Sequence, residues 1–412
     1  FYNKDYVDGC EALIQKKNFE KAIILFDRCI RKNTNIPEYW KKLGAAFFFK
    51  RKLHEAKNCF LKSIKLFPND YLSLMNLGVI NYELSNFQNS IFYFQKSIKV
   101  NNNDSRSKIY LSLINLTLGF SQKNIAFYEN NRDKSKLKMI CKELNTPELE
   151  LQNFFTKERK KILVFNSEGF GDHLMFFRYI NRLNKFNFDI TLILDKSIIE
   201  IFKNTNIRNV NFKSSLNLDD RFDFVVDALS FPYFFNKKSK KIPDPVSFKK
   251  QFINKGLPDG IKQKFCQGKK KIGVSWSGNN EMPRNNIRSI PLKNFSKIFQ
   301  KYQNIHFFVL QININKDEEN ELRKYKNVTN CQSFLKNFSD TIKIASEMDE
   351  IITICTSLVH ISGSLKKPTK LLLSKVPDWR WGLTKAKNHW YQNIQILRQK
   401  NLDNWDEIID KI

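Results

Sequence analysis

Asp349-Glu-Ile-Ile-Thr-Ile-Cys-Thr-Ser-Leu-Val-His-Ile-Ser-Gly-Ser-Leu365 runs into Lys366-Lys-Pro-Thr-Lys-Leu-Leu-Leu373 and, after Val376, into Pro377-Asp-Trp-Arg-Trp381. Ile351, Ile352 and Ile354 form the short β-branched run of a buried strand. Thr356 and Ser357 are helix N-cap residue types. Leu358, Val359, Ile361 and Leu365 recur at helical spacing, and Lys366-Lys367-Pro368 closes that helix with charge and a breaker. Thr369–Leu373 is a second apolar strand. Strand, tight turn, helix and strand make one right-handed βαβ unit of a parallel sheet. The first amides of such a helix lack intrahelical partners, and its dipole adds partial positive charge. The turn at Thr356, Ser357 and Leu358, with His360 one turn in, is therefore a candidate anion site suited to a diphosphate. The plainer reading is an ordinary βαβ turn with His360 packed against the sheet, and spacing alone favours it.

A similar corner lies upstream. Lys161–Phe165 is a strand that enters Asn166-Ser-Glu-Gly-Phe-Gly-Asp-His173, and Leu174, Phe177, Tyr179, Ile180 and Leu183 follow at helical spacing. Gly169 and Gly171 permit a tight turn and a close approach to a ligand. Asp172 falls at the carboxyl end of the strand, where open α/β sheets bind ligands. It reads as a helix N-cap or as a general base facing a cleft, with His173 as a competing base. Further strands are expected at Asp189–Leu194, Arg208–Phe212 and Phe222–Val226, with a helix near Ile198–Asn204. A short helix is expected at Val246–Asn254, within an interdomain connection.

Lys271–Trp276 starts a second sheet and ends in the loop Ser277-Gly-Asn-Asn280. Arg284 and Arg288 follow; near a strand end they suit phosphate oxygens, although isolated arginines are more often solvated surface. Pro291 starts a helix through Phe295 and Ile298. Strands fit Ile305–Leu310 and Val328–Cys331, and helices fit Asp340–Glu347 and Trp405–Ile409. Two Rossmann-like halves that offer strand-end turns to one cleft describe a GT-B arrangement. No Asp-x-Asp triplet occurs, so no metal is expected to hold a diphosphate.

Before these halves the chain repeats. Tyr6, Trp40 and Leu74 recur in phase, as do Cys10, Gly44 and Gly78, then Ala22, Ala56 and Ser90, then Phe26, Phe60 and Phe94. The period is that of tetratricopeptide helical hairpins. Units are expected at 3–36, 37–70 and 71–104, with a partial unit at 105–132. Small residues let the paired helices approach, and aromatic residues fill the groove between hairpins. The array either presents a face to a protein partner or braces the next domain. The expected division is repeats at 1–135, a connection at 136–160, a first Rossmann-like domain at 161–262 and a second at 263–412.

The 412 residues carry a formal net charge of +29. The basic residues form no single arm interleaved with aromatics, so the charge reads as background with some attraction to anionic lipid head groups, and no specific nucleic-acid partner is expected. The seven cysteines show neither CxxC nor zinc spacing, as expected of reduced thiols in the cytoplasm. No stretch is long and apolar enough to span a bilayer. The chain begins at Phe1, so a longer protein is expected.

As a set, Glu168-Gly-Phe-Gly-Asp-x-x-x-Phe-x-Arg-Tyr179, Trp276-Ser-Gly-Asn279, Arg288-Ser-Ile-Pro-Leu292, Thr356-Ser-Leu-Val-His-Ile-Ser-Gly363, Pro377-Asp-Trp-Arg-Trp381 and Trp390-Tyr…Arg398-Gln399 resemble bacterial tetratricopeptide proteins fused to a glycosyltransferase family 9-like domain. These are relatives of the ADP-heptose:lipopolysaccharide heptosyltransferases. The resemblance covers almost the whole chain. It implies a metal-independent, inverting transfer of a sugar from a nucleotide-diphosphate donor to a glycan, lipid-linked or protein acceptor. It implies Asp172 as general base, Thr356 to His360 as the diphosphate turn and Arg288 as a donor contact. Gly169, Gly171, Trp276, Asn279, Asp378, Trp379 and Arg380 are expected to line the cleft, and Trp379 and Trp381 either stack on a ligand or pack the core. A cytoplasmic protein, peripheral at the inner membrane, is expected. The family usually has Asp where Cys355 stands. A thiol supplies neither that charge nor those acceptors, which implies a different donor or a repeat scaffold whose transferase domain no longer turns over.

Overall fold

A computed structural model describes residues 4–15, 17–217, 219–236, 242–254, 256–265, 268–282, 284–383, 389–402 and 404–412. The chain divides into two compact units, Phe1–Arg132 and Asp133–Ile412.

The first unit is a run of antiparallel helical hairpins. Helices α1 (Lys4–Ile14) and α2 (Phe19–Lys32), α3 (Pro37–Phe49) and α4 (Leu53–Leu66), α5 (Tyr71–Glu83) and α6 (Phe87–Val100), and α7 (Ser105–Leu118) and α8 (Gln122–Asn131) pair in sequence. Asn18, Asn86, Asp104 and Ser121 accept backbone N–H bonds as N-caps, satisfying donors the helix leaves open. The in-phase phenylalanines Phe26, Phe60 and Phe94 are fully buried. The glycines face them across the hairpin: a Cβ on Gly44 would meet the Phe60 ring at 3.0 Å, and one on Gly78 would meet Phe94 at 2.5 Å. Ser90 adds a hydrogen bond from Oγ to the Gly78 carbonyl at 2.7 Å. Gly78→Ala is therefore expected to cost about 1–2 kcal/mol, read as a lower urea midpoint with unchanged slope. An unchanged midpoint would mean that the ring yields freely.

In the second unit, α9 (Ser135–Glu143) lies in the stretch expected as a connection. Its Leu137 and Ile140 lie on one face and pack with Leu163, Phe165 and Val225, while Met139 on another face is exposed. The first sheet holds β1 (Lys160–Phe165), β2 (Phe188–Ile193), β3 (Val210–Lys213) and β4 (Phe224–Asp227), all parallel, in the order β3-β2-β1-β4. Helices α10 (Phe170–Phe176), α11 (Ile180–Leu183), α12 (Lys196–Lys203), α13 (Phe231–Phe235) and α14 (Lys250–Ile253) accompany it. The helix expected over Val246–Asn254 is thus reduced to its last turn.

The second sheet holds β5 (Lys270–Ser275), β6 (Ile305–Val309), β7 (Val328–Asn330), β8 (Glu350–Ile354), β9 (Thr369–Leu373) and β10 (Ile394–Arg398). All its pairings are parallel, and the order is β10-β9-β8-β5-β6-β7. Its helices are α15 (Asn285–Arg288), α16 (Leu292–Phe295), α17 (Lys297–Lys301), α18 (Lys316–Leu322), α19 (Phe338–Ser346), α20 (Ser357–Ser364) and α21 (Asp406–Ile409). The helix expected from Pro291 breaks between α16 and α17. The strand order reverses between β1 and β4 in one sheet and between β5 and β8 in the other, and such switch points open a crevice at the carboxyl ends of the strands. The two parallel sheets make this unit an α/β structure. Its larger core gathers Ile272, Val274, Trp276, Phe295, Phe299 and Ile352.

Candidate functional site

Gly169 is the N-cap of α10 and Asp172 lies in the first helical turn. The Asp172 side chain does not cap its own helix. Its Oδ1 accepts a hydrogen bond from Arg380 Nη2 at 2.5 Å, and the side chain is 19% exposed. Burial pushes the carboxyl up to about 6; Arg380 opposes the shift, and Glu168 and Asp378 add to it. His173, the competing base, turns into the core. Its Nδ1 lies 3.0 Å from the Gly169 carbonyl, its ring packs on Phe177 and Phe202, and burial lowers it to about 4. The loop before α10 is pinned by Asp227 at the end of β4, whose Oδ2 accepts from Ser167 Oγ at 2.7 Å.

The upstream and downstream corners meet. Helix α10 packs on α20, and a Cβ on Gly171 would stand 2.7 Å from His360 Cδ2. Gly171 is thus required by helix packing, whereas a Cβ on Gly169 meets nothing within 4 Å. Thr356 occupies the N-cap of α20 without a side-chain cap bond, and Leu358 is buried. His360 does not face open space. Its Nδ1 lies 3.0 Å from the Tyr391 hydroxyl and its ring stacks on Trp381 at 5.8 Å. Burial, then Arg380 and Arg178, lower it to about 3. The plainer reading of His360, a packed imidazole, describes its position.

Beside the end of β8 is a cavity of about 100 Å³, lined by Arg284, Ile287, Arg288, Cys355, Leu372, Leu373, Ser374, Val376, Pro377 and Asp378. Arg288 donates from Nη1 to the Cys355 carbonyl at 3.1 Å and from Nε to Asn285 Oδ1 at 3.1 Å. Arg284 donates from Nη2 to the Val376 carbonyl at 3.2 Å. The Cys355 thiol accepts from Trp381 Nε1 at 3.1 Å; burial, with Asp378, pushes it up to about 11, so it is uncharged at neutral pH. Arg380 Nη1 engages both Asp378 oxygens, at 3.0 and 3.1 Å. Burial disfavours the Asp378 carboxylate, yet Arg380, a backbone amide and Arg284 outweigh that and hold it below its usual range.

Other expected cleft residues lie elsewhere. Trp276 is a core residue packed on Phe295, with Nε1 donating to Glu318 at 2.9 Å. Asn279 is exposed and accepts from the Glu281 amide. Trp379 and Trp381 stay beside the site but are buried, Trp379 under the Arg380 guanidinium and Trp381 against Cys355 and His360. A second, polar concavity of about 390 Å³ is lined by Ser277, Asn280, Asn313, Ile314, Asn315 and Glu318. Residue-by-residue reading missed Arg178. It is buried, donates to the carbonyls of Met175 and Trp390 at 2.7 and 2.8 Å, and lies 4.7 Å over the Tyr391 ring. Its signal was a lone arginine inside the apolar run Met175–Ile180.

The buried imidazoles predict acid sensitivity. Unfolded, each takes its proton near 6.5; folded, only near 4 or 3. The unfolded chain therefore binds more protons below about 6.5, and stability falls as pH falls. Asp172 acts oppositely, since its folded carboxyl protonates near 6 instead of 3.8. From pH 7 to pH 5 the two histidines remove roughly 4 kcal/mol and Asp172 returns about 1, a net loss of about 2–3 kcal/mol. Urea unfolding at the two pH values checks this; equal stabilities would refute it.

Among the described residues, no group of three or more His, Cys, Asp or Glu is placed to hold a metal ion, and no helix is long and apolar enough to cross a membrane.

A family model described as tetratricopeptide repeat matches residues 37–70 and 71–104. Among solved structures, the chain is similar to MamA at 16% identity, covering 33% of this chain and 79% of that one with a TM-score of 0.31. It is similar to the Arabidopsis OM64 TPR domain at 16% identity, covering 27% and 90%, TM-score 0.26. It is also similar to YrrB, a TPR protein with an unusual peptide-binding site, at 18% identity, covering 32% and 71%, TM-score 0.28. No curated protein matches the chain. The amino-terminal unit therefore carries tetratricopeptide repeats, ahead of an α/β region built on two parallel sheets.

Proposed function

We propose that Asp133–Ile412 is a metal-independent, inverting glycosyltransferase of GT-B architecture, related to the family 9 heptosyltransferases. The observation that carries the reading is the single guanidinium of Arg380, which joins Asp172 at one strand-end corner to Asp378 at the rim of the Arg284–Arg288 cavity. A nucleotide-sugar binds with its diphosphate on the open amides of α20, near Arg288 and Arg284, where dipole and cations offset the charge without a metal. An acceptor hydroxyl gives its proton to Asp172 as its oxygen bonds to the anomeric carbon. The bond from that carbon to the diphosphate breaks, and the nucleoside diphosphate leaves from the opposite face. The reaction is set in the cytoplasm, with the acceptor a glycan, a lipid-linked sugar or a protein. The repeats offer a face to that acceptor or to a protein partner, as repeat arrays do.

Cys355 supports a second reading, a repeat scaffold that binds without turnover, because its neutral thiol leaves the cavity without the usual carboxylate. Both readings require an anion site. Nucleoside diphosphates are expected to raise the melting temperature in a concentration-dependent way. Arg288→Ala is expected to weaken that binding about tenfold. No shift with any nucleoside diphosphate or nucleotide-sugar at millimolar concentration would overturn both.

A further inference from the structure

The contacts of Arg380 divide one cation between two acids that belong to different corners. Nη2 holds Asp172 at 2.5 Å, while Nη1 spans both oxygens of Asp378. The backbone amide of Arg380 also bonds Asp378, and its carbonyl accepts from Trp390 Nε1 at 2.9 Å. The main chain is thus anchored and the guanidinium is the part able to swing. It lies over the Trp379 ring at 4.7 Å and near Phe176 at 5.7 Å, flat apolar surfaces along which a planar cation slides with little loss of contact. The carboxylate of Asp378 lines the arginine cavity. An anion seated there adds negative charge beside Asp378, the second partner of Arg380.

We propose that Arg380 is a positioning residue that blocks Asp172 in the free protein and releases it when a diphosphate enters the cavity. The proposal rests on the transferase reading. With its guanidinium drawn toward phosphate oxygens, Asp172 is left a largely buried carboxylate without its cation. It then faces Glu168, Asp378 and the Tyr391 hydroxyl, with His360 of α20 neutral nearby. The two acids oppose its charge and the Tyr391 hydroxyl is taken up by His360 Nδ1 at 3.0 Å, so Asp172 becomes a stronger base only once the donor is in place. The consequence is order. An acceptor hydroxyl, or water, meets a competent base only after the diphosphate has bound.

The test counts protons. Binding of ADP, GDP, UDP and CDP is measured by calorimetry at pH 7, in buffers of low and high ionisation enthalpy, for the parent chain, Asp172→Asn and Arg380→Gln. The diphosphate's own proton change is common to all three and cancels. The parent is expected to take up about 0.4 of a proton beyond Asp172→Asn, as the Asp172 carboxyl rises from near 6 toward the working pH, where about half stays ionised and able to act as base. In Arg380→Gln that excess is expected to vanish, since nothing remains to be withdrawn. Should Arg380→Gln fail to fold, Arg380→Lys serves; an ammonium lacks the fork that spans both acids, and the excess is expected to fall by half or more. Binding without excess uptake, or an undiminished excess in either Arg380 variant, overturns the inference and leaves the anion site standing. Binding of no nucleoside diphosphate overturns the inference and the transferase reading together.

Discussion

Asp172→Asn is expected to lower sugar transfer by about 10²–10⁴-fold, the usual contribution of a positioned general base. The amide keeps the size of the carboxylate and an oxygen for Arg380, so nucleoside diphosphate binding is expected to persist. Asp172 must be ionised to accept a proton, and its carboxyl titrates near 6. The kcat/KM of the parent chain, which reports ionisation in the free protein, is therefore expected to fall below about pH 6 and to level off above it. The measurement is a pH–rate profile with a competent nucleotide-sugar, paired with binding by the variant. A variant that transfers as fast as the parent would remove Asp172 from the chemistry. A parent inactive with every donor, yet still binding diphosphates, would favour the scaffold.

Gly363→Ala is expected to destabilise the α/β unit by about 3 kcal/mol, at the upper end of overpacking costs. Gly363 lies in α20, and a Cβ there would fall well inside van der Waals contact with the Tyr391 ring, at Cδ1, Cε1 and Cγ. In a solvent-facing helix the change would help by about 1 kcal/mol. Here the ring has little room to retreat. Its hydroxyl is tied to His360 Nδ1 and its face lies 4.7 Å from the Arg178 guanidinium. Because Arg178 also holds Trp390, displacing Tyr391 is expected to loosen the segment that carries Trp390 onto Arg380. Urea unfolding followed by tryptophan fluorescence measures the loss. Parent-like stability would show that Tyr391 moves aside.

The strands were legible because each is a short apolar run closed by turn residues. Lys161–Phe165, Ile351–Ile354 and Thr369–Leu373 fall within a residue of their observed ends. β10 escaped because Ile394, Ile396 and the exposed Gln395 alternate over only five residues at the edge of the sheet. α18 escaped although Asn315 and Glu318 form a capping box, since six consecutive charged or amide residues, 316–321, leave Leu322 as its sole apolar side chain. The site was half legible. Its turns were visible as glycine, Thr-Ser and arginine signatures, but the orientation of each side chain was not. His173, a candidate base in sequence, and His360, for which spacing alone favours packing, are both packed imidazoles in the fold.

From the sequence alone came the repeat period, the two sheets and the corner residues, because backbone propensity and apolar periodicity are local properties. Tertiary structure decided which corner residues meet: Asp172 with Arg380, 208 positions apart, Gly171 with His360, and Trp276 inside the core. Such pairings depend on how helices seat on sheets, and that follows from the summed packing of many distant side chains rather than from any short stretch.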